Sequence, residues 1–409
     1  MAQIGWIDFS PDHRDRVAAV LDMLKPEGVV DELGIGSIRD AFADQMFPGI
    51  STIQTRAKYF FIVPYLLYEY QQLPLAQQRR ISPSKYLEMQ EFEVMWKLAD
   101  QYEHKEGTGV IGITKYKPEK IMRRPSAIYW NGLSVFKFIQ NGGLGVDSFL
   151  NSRSEATASL ASDAAQGDDS PKDDLDAEFI NRFQLKLPYD RNWLKSLTLN
   201  LTKSEAKLLS DRIRSTGKDH LISKLMEDRN LFKIFKNADS FADFALISIN
   251  QKLLSPEVEK TVILAHDFSE LMFGAHCAYN CILQNKKFST TDSSDEWTEW
   301  IKNIRLNMLD FSNFNPSAVL TFPPNLRPYT RQFVINWWDF VTSPSASVFR
   351  RNELIESQEA NTKRYKARIR QNKYDDVAEA KWIGLGKLEY RMSQVKTILQ
   401  DIYTGMEAT

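Results

Sequence analysis

Between Asn151 and Glu178 the chain offers almost nothing to bury. The run NSRSEATASLASDAAQGDDSPKDDLDAE holds eight acidic and two basic residues and almost no large apolar side chain. Such a segment lacks the apolar surface needed to offset the entropy of ordering it. It predicts an acidic disordered linker over 151–178, which divides the chain into an N-terminal, mainly helical domain (1–150) and an all-helical C-terminal domain (179–409). The length of 409 residues agrees with two cores, since single cores stop growing well below that size.

On either side of this segment the apolar residues recur at helical spacing. In the first half, IGWIDF reads as a short strand. Ser10-Pro11 then opens a helix carrying Val17, Val20, Leu21 and Leu24. Ser37 and Asp40 make a capping-box-like start for a stripe of Ile38, Ala41, Phe42 and Met46. A helix is expected from about Thr52 to Pro64, which kinks or ends it because proline removes a backbone donor, and another from Ser82-Pro83. GTGVIGITKYKPEKIM, with β-branched residues between glycines, predicts a small β-hairpin, and the helix expected from Ser126 makes hairpin and helix resemble a winged-helix element. In the second half, Thr202 to Glu205 spells a capping box and Ser255-Pro256 opens a long helix. The fold class expected is mainly α: two helical domains, the first with a short strand and a small hairpin.

Lys and Arg number 52 against 53 Asp and Glu, a formal net charge of −1. No global field draws this chain to a polyanion, so any such binding must come from local patches. Cys277 and Cys281 are the only cysteines, which excludes a disulfide framework and points to a reducing compartment. The opening residues lack a basic region followed by an apolar stretch. The apolar run Tyr59 to Tyr68 is far shorter than the roughly 20 residues that span a bilayer. A cytoplasmic protein with no membrane partner and no cofactor is expected.

Motifs with catalytic potential are sparse. His266-Asp267 in a helical half has the form of the adjacent metal-binding pair of HD-type phosphohydrolases, for which His220 and Asp310 are the available distant ligands. This gives an alternative reading as a metal-dependent phosphohydrolase or nuclease. Cys277 and Cys281, four apart beside His276, have the spacing of a soft-metal half-site, but without a second cluster they read as buried small hydrophobes. Asp376, Glu379 and Lys381 match the residue types of a metal-dependent nuclease in surroundings too helical for it. No phosphate-binding G-x-x-x-x-G-K-[ST] loop and no G-x-S-x-G elbow occurs, and no metal site is expected.

Charge clustering is the strongest signal. In TKRYKARIRQNKY, Lys363, Arg364, Lys366, Arg368, Arg370 and Lys373 fall within about three helical turns without an acidic residue. On one continuous helix Lys363, Lys366, Arg370 and Lys373 share a stripe that suits phosphates or an acidic partner. A second basic stretch, Lys115, Lys117, Lys120, Arg123 and Arg124, surrounds the expected hairpin. Arg39, Asp40, Arg56 and Lys58 flank two apolar helix faces and are expected to form a partly buried ion-pair network.

The blocks GWIDFS (5–10), DELGIGSIRDAFADQMFPGISTIQTRAKYFFIVPYLL (from Asp31), RRPSAIYWNGL (123–133), NWWDF (336–340) and the late YRMSQVKTILQDI resemble, across the whole chain, a bacterial family known only as a domain of unknown function. The resemblance implies a setting in anti-phage defence loci, near helicase and phospholipase-D-type nuclease genes, and supplies no catalytic residue. The function expected is that of a non-enzymatic component of a defence assembly, binding nucleic acid or a partner protein, such as a helicase or nuclease, through its basic patches.

Overall fold

A computed structural model describes residues 31–151, 187–288, 295–306, 314–343, 347–374, 377 and 382–408. The strand expected at IGWIDF, the helix after Ser10 and all but the first residue of the acidic segment lie outside these residues, as do Asp310, Asp376, Glu379 and Lys381.

The described chain is mainly helical. Its longer helices are α1 (Gly36–Met46), α2 (Tyr59–Gln71), α3 (Pro83–Gln101), α4 (Pro125–Val135), α5 (Lys203–Arg214), α6 (Leu221–Glu227), α7 (Arg229–Asn237), α8 (Phe241–Asn250), α9 (Pro256–Phe288), α10 (Asp295–Leu306), α11 (Pro328–Thr342), α12 (Val348–Lys363) and α13 (Met392–Glu407). They form two compact units that interleave in sequence: one takes residues 1–39 and 267–388, the other 40–266 and 389–409. This differs from the expected linear cut at 151–178. The reason is that the C-terminal helix α13 packs on α5, far from its own neighbours in sequence.

In the second unit, α2 is the central helix. Its residues Tyr59 to Leu67 are all buried, Phe60, Phe61 and Val63 completely. Pro64 lies inside this helix rather than ending it; proline at such a position costs about 3 kcal/mol or more, and continuous apolar burial of this helix offsets it. The chain from Thr52 to Lys58, expected as helix, is an irregular loop. Phe60 meets Tyr129 edge-on at 4.9 Å and Phe136 at 5.3 Å, tying α2 to α4. Thr202 and Glu205 form the capping box of α5 as the sequence spells it, and Ser82 caps α3 by accepting from the Lys85 N–H.

Two sequence expectations are corrected here. Among the described residues no strand occurs, so the β-hairpin and the winged-helix element are absent from 107–122. Gly107, Gly109 and Gly112 all adopt positive φ, which turns the chain too often for a ladder to form. The start of α1 is also capped differently: Asp31 accepts from the N–H groups of Ile35 (3.1 Å) and Gly36 (2.7 Å), taking the role expected of Ser37.

The first unit is built around an aromatic cluster in which Trp337, fully buried, lies 5.8 Å from Trp297, 5.3 Å from Phe340 and 6.1 Å from Phe333. Its indole N–H donates to the Leu271 carbonyl at 3.0 Å.

Candidate functional site: a polar cleft in the second unit

The expected basic helix at 363–373 is broken into pieces. Helix α12 ends at Lys363, a 3-10 turn covers Arg364–Lys366, and a single helical turn covers Arg368–Gln371. Arg364 (φ 52°) and Asn372 (φ 52°) leave the right-handed region, so the stripe of Lys363, Lys366, Arg370 and Lys373 does not form. Lys363 reaches the buried Glu32 at 3.3 Å, Arg368 approaches the same carboxylate at 3.8 Å, and Lys373 donates to the Tyr365 carbonyl at 3.0 Å. Lys366 stands over the Tyr365 ring, while Arg364 and Arg370 are exposed. What orders this segment is Glu359, completely buried, which accepts from Tyr279 (2.9 Å), the Arg368 N–H (2.7 Å) and the Ile369 N–H (3.0 Å). Burial pushes the Glu359 carboxyl above its ordinary range despite these donors.

The second basic stretch is largely neutralised by α3. Lys117 pairs with Glu93 (2.8 Å), Lys120 with Glu88 (3.1 Å), Arg124 with Glu91 (3.0 Å), and Lys115 with Glu119 (3.2 Å) in its own loop. Arg123 is exposed. Glu91 is the buried member: it also accepts from the N–H and hydroxyl of Ser126, closing the N-terminus of α4. Burial outweighs these bonds and pushes its carboxyl up to about 7.

Arg56 and Lys58 each find a partner far along the chain. Lys58 meets Glu205 at 2.7 Å, both buried, and Glu205 also accepts from Tyr65 at 2.8 Å. Asp401 accepts from Arg56 Nε (2.8 Å) and Nη2 (2.9 Å) and from the Ala57 N–H (2.9 Å). Burial opposes the Arg56 charge, yet the bond to Asp401, the charge of Asp401 and the nearby Tyr102 and Tyr129 together outweigh it and hold the guanidinium above its ordinary pKa. Asp40 lies 3.9 Å from Arg391, and Arg39 stands at the N-terminal end of α1. Arg56 and Lys58 are thus held by separate partners.

The Arg56–Asp401 pair forms one wall of an open cleft of about 590 Å³. The loop Gln54 to Arg56, the Gly107-Thr108-Gly109 turn, Lys236 from α7 and the first turns of α13 line it. The loop is rigidly placed: Tyr129 Oη accepts from the N–H groups of Thr55 (2.8 Å) and Arg56 (3.0 Å) and donates to the Arg56 carbonyl (2.8 Å). Thr55 Oγ1 donates to Gly109 O at 2.7 Å and Arg56 Nη1 to Thr108 O at 3.0 Å.

Two further cations face this space. Lys396 leans on the Ala238 carbonyl at 2.6 Å, and Lys236 is exposed with no acidic partner among the described residues. Helix α7 buries Leu231, Phe232 and Phe235 and exposes Arg229, Lys233 and Lys236; Arg229 pairs with Glu407, and Lys233 and Lys236 have no carboxylate partner among the described residues. Sequence reading passed over this stripe, although cations at i, i+4 and i+7 in RNLFKIFKN carry the signal. With Asp401 answered by Arg56, the lining keeps two unanswered positive charges.

Of the candidate metal positions, His266 and Asp267 are consecutive in α9, and His220 Nδ1 is 2.7 Å from Gln45 O. Cys277 and Cys281 are buried. Beside them, burial lowers the His276 pKa, and its Nδ1 donates to the Met272 carbonyl at 2.8 Å. Among the described residues no group of three or more His, Cys, Asp or Glu side chains is gathered to hold a metal ion, and no helix is long and apolar enough to cross a membrane.

A model for DUF6361, described as a family of unknown function, matches residues 1–399. No curated protein and no solved structure matches the chain.

Proposed function

Since the chain belongs to the DUF6361 family, whose function is unknown, we propose a role on the geometry of the cleft: the protein is a non-enzymatic binding component that engages nucleic acid through Lys236, Lys396 and the loop at Arg56. The observation that carries this reading is the pair of lysines left without a carboxylate in a polar, preformed concavity. In the two basic stretches, Lys363, Arg368, Lys115, Lys117, Lys120 and Arg124 are drawn onto the chain's own carboxylates. Neighbouring lysines in a groove attract phosphates and release the counterions of a polyanion on contact. In a defence assembly, the setting that the sequence resemblance implies, such a component holds nucleic acid for a helicase or nuclease partner.

The test is binding of a labelled oligonucleotide duplex, followed by fluorescence anisotropy at two salt concentrations. A Lys236→Glu, Lys396→Glu double variant is expected to bind at least about tenfold more weakly and with a shallower salt dependence, two fewer cations meeting phosphate. An affinity equal to that of the wild type removes the cleft from consideration.

A further inference from the structure

The make-up of the lining says what form of nucleic acid the cleft takes, an inference that rests on the reading just given. The residues that line it are amides, hydroxyls, cations, one carboxylate and two glycines, and none is aromatic. Proteins that hold single strands stack the unpaired bases on aromatic faces. This surface has no such platform. Base edges of a duplex, in turn, are read by side chains projecting into a groove on a helix or ribbon. Here the cations line a concavity side by side, Lys396 resting on the Ala238 carbonyl two residues from Lys236, where a backbone strand can lie along them.

The turn at Gly107-Thr108-Gly109 adds a second observation. Its carbonyls are engaged from within: Thr108 O accepts from Arg56 and Gly109 O from Thr55. Its three peptide N–H groups donate to no acceptor among the described residues. Gly107 (φ 81°) and Gly109 (φ 83°) flank Thr108, and successive N–H groups in such a turn form a concavity that takes an anion. Gly109 is required for the approach, because a Cβ there would lie 2.6 Å from Arg56 Cγ; at Gly107 a Cβ would meet nothing within 4 Å. The turn is thus anchored by its carbonyls, and its N–H groups are left without a partner among the described residues.

We propose that the cleft grips the sugar–phosphate backbone of duplex nucleic acid without reading its bases, one phosphate seated on the Gly107-Thr108-Gly109 amides and its neighbours on Lys236 and Lys396. Lys233, one turn before Lys236 on the exposed side of α7, extends the same line of charge.

Competition against a labelled duplex tests this. Unlabelled duplexes of unrelated sequence should compete equally, and a single strand of the same length at least about tenfold less well, for lack of stacking partners. Thr108→Glu, which sets a carboxylate at the seat, should weaken duplex binding by roughly tenfold through like-charge repulsion, with the melting temperature unchanged. Should that variant melt lower, Thr108→Asp, whose carboxylate can still accept from the Val110 N–H as the Thr108 hydroxyl does, takes its place with the same expectation. A single strand that competes as well as the duplex overturns the proposal, and so do seat variants that bind like the wild type while Lys236→Glu is weakened; either result leaves the cleft itself as the binding site. If the wild-type protein binds neither form, the reading of the cleft falls and this inference with it.

Discussion

Lys58 carries its charge into a place where only 7% of the residue is exposed, and what makes this tolerable is Glu205, 147 residues away, itself 1% exposed. Removing one partner of such a pair leaves an uncompensated buried charge, so Lys58→Met is expected to lower stability by about 3–5 kcal/mol. Replacing both, Lys58→Met with Glu205→Met, should recover part of that loss, although the bonds of Glu205 to Tyr65 and the Thr202 N–H go with it. Urea denaturation of the three variants measures the difference; a single variant as stable as the wild type would show that the pair is not closed in solution. In the sequence, Arg56 and Lys58 stand out as charges beside apolar residues. Their partners do not: Glu205 reads only as the last letter of a capping box, and Asp401 as one more polar position on an amphipathic helix. The helix expected over 52–64 also begins at Tyr59 instead, so Arg56 and Lys58 sit in a loop whose directions no periodicity predicts.

At the scale of elements, capping signals were legible where the cap is local, at Ser82 and Thr202, and illegible where it comes from elsewhere. Glu91 interrupts the apolar stripe of α3 without apparent reason until the N-terminus of α4 arrives beside it. Its carboxyl, pushed up to about 7 from an ordinary 4.5 by burial, holds a proton more tightly folded than unfolded. The sign follows: this contribution is fully present below the ordinary value and is lost as pH rises through about 7, some 3 kcal/mol in all for a shift of this size. Glu359, also raised by burial, adds in the same direction. Denaturation midpoints should therefore fall between pH 5 and 8, and Glu91→Gln should flatten that slope, leaving the share of Glu359; a slope untouched by the substitution would place Glu91 in ordinary solvent. The segment 363–373 teaches the converse. Its run of cations is plain in the sequence, but the turn at Arg364 and the capture of the Arg368 and Ile369 amides by Glu359 depend on a residue that reads as an ordinary helical glutamate.

For the whole molecule, the sequence conveyed helical content and missed the way the chain is shared out. Composition marks 151–178 as poor in apolar residues, and a linear cut follows naturally from that. The second unit instead draws on both sides of the segment and then on residues 389–409. A protease site inserted near residue 165 and cleaved should accordingly give two fragments that still elute together on size exclusion, because α5 and α13 belong to the same unit as α2; fragments that separate without denaturant would restore the linear division. The same arrangement sets a schedule for the nascent chain. Arg56 leaves the ribosome 345 residues before Asp401, which at bacterial to eukaryotic elongation rates is a delay of roughly 20 to 70 s. Throughout that interval the loop that shapes the cleft lacks the carboxylate that fixes its guanidinium, and α5 lacks the helix that covers it. A chain that stalls before residue 389 is left with an open groove on its second unit, so chaperones that shield apolar surface have their longest task here at the end of synthesis, not at its beginning.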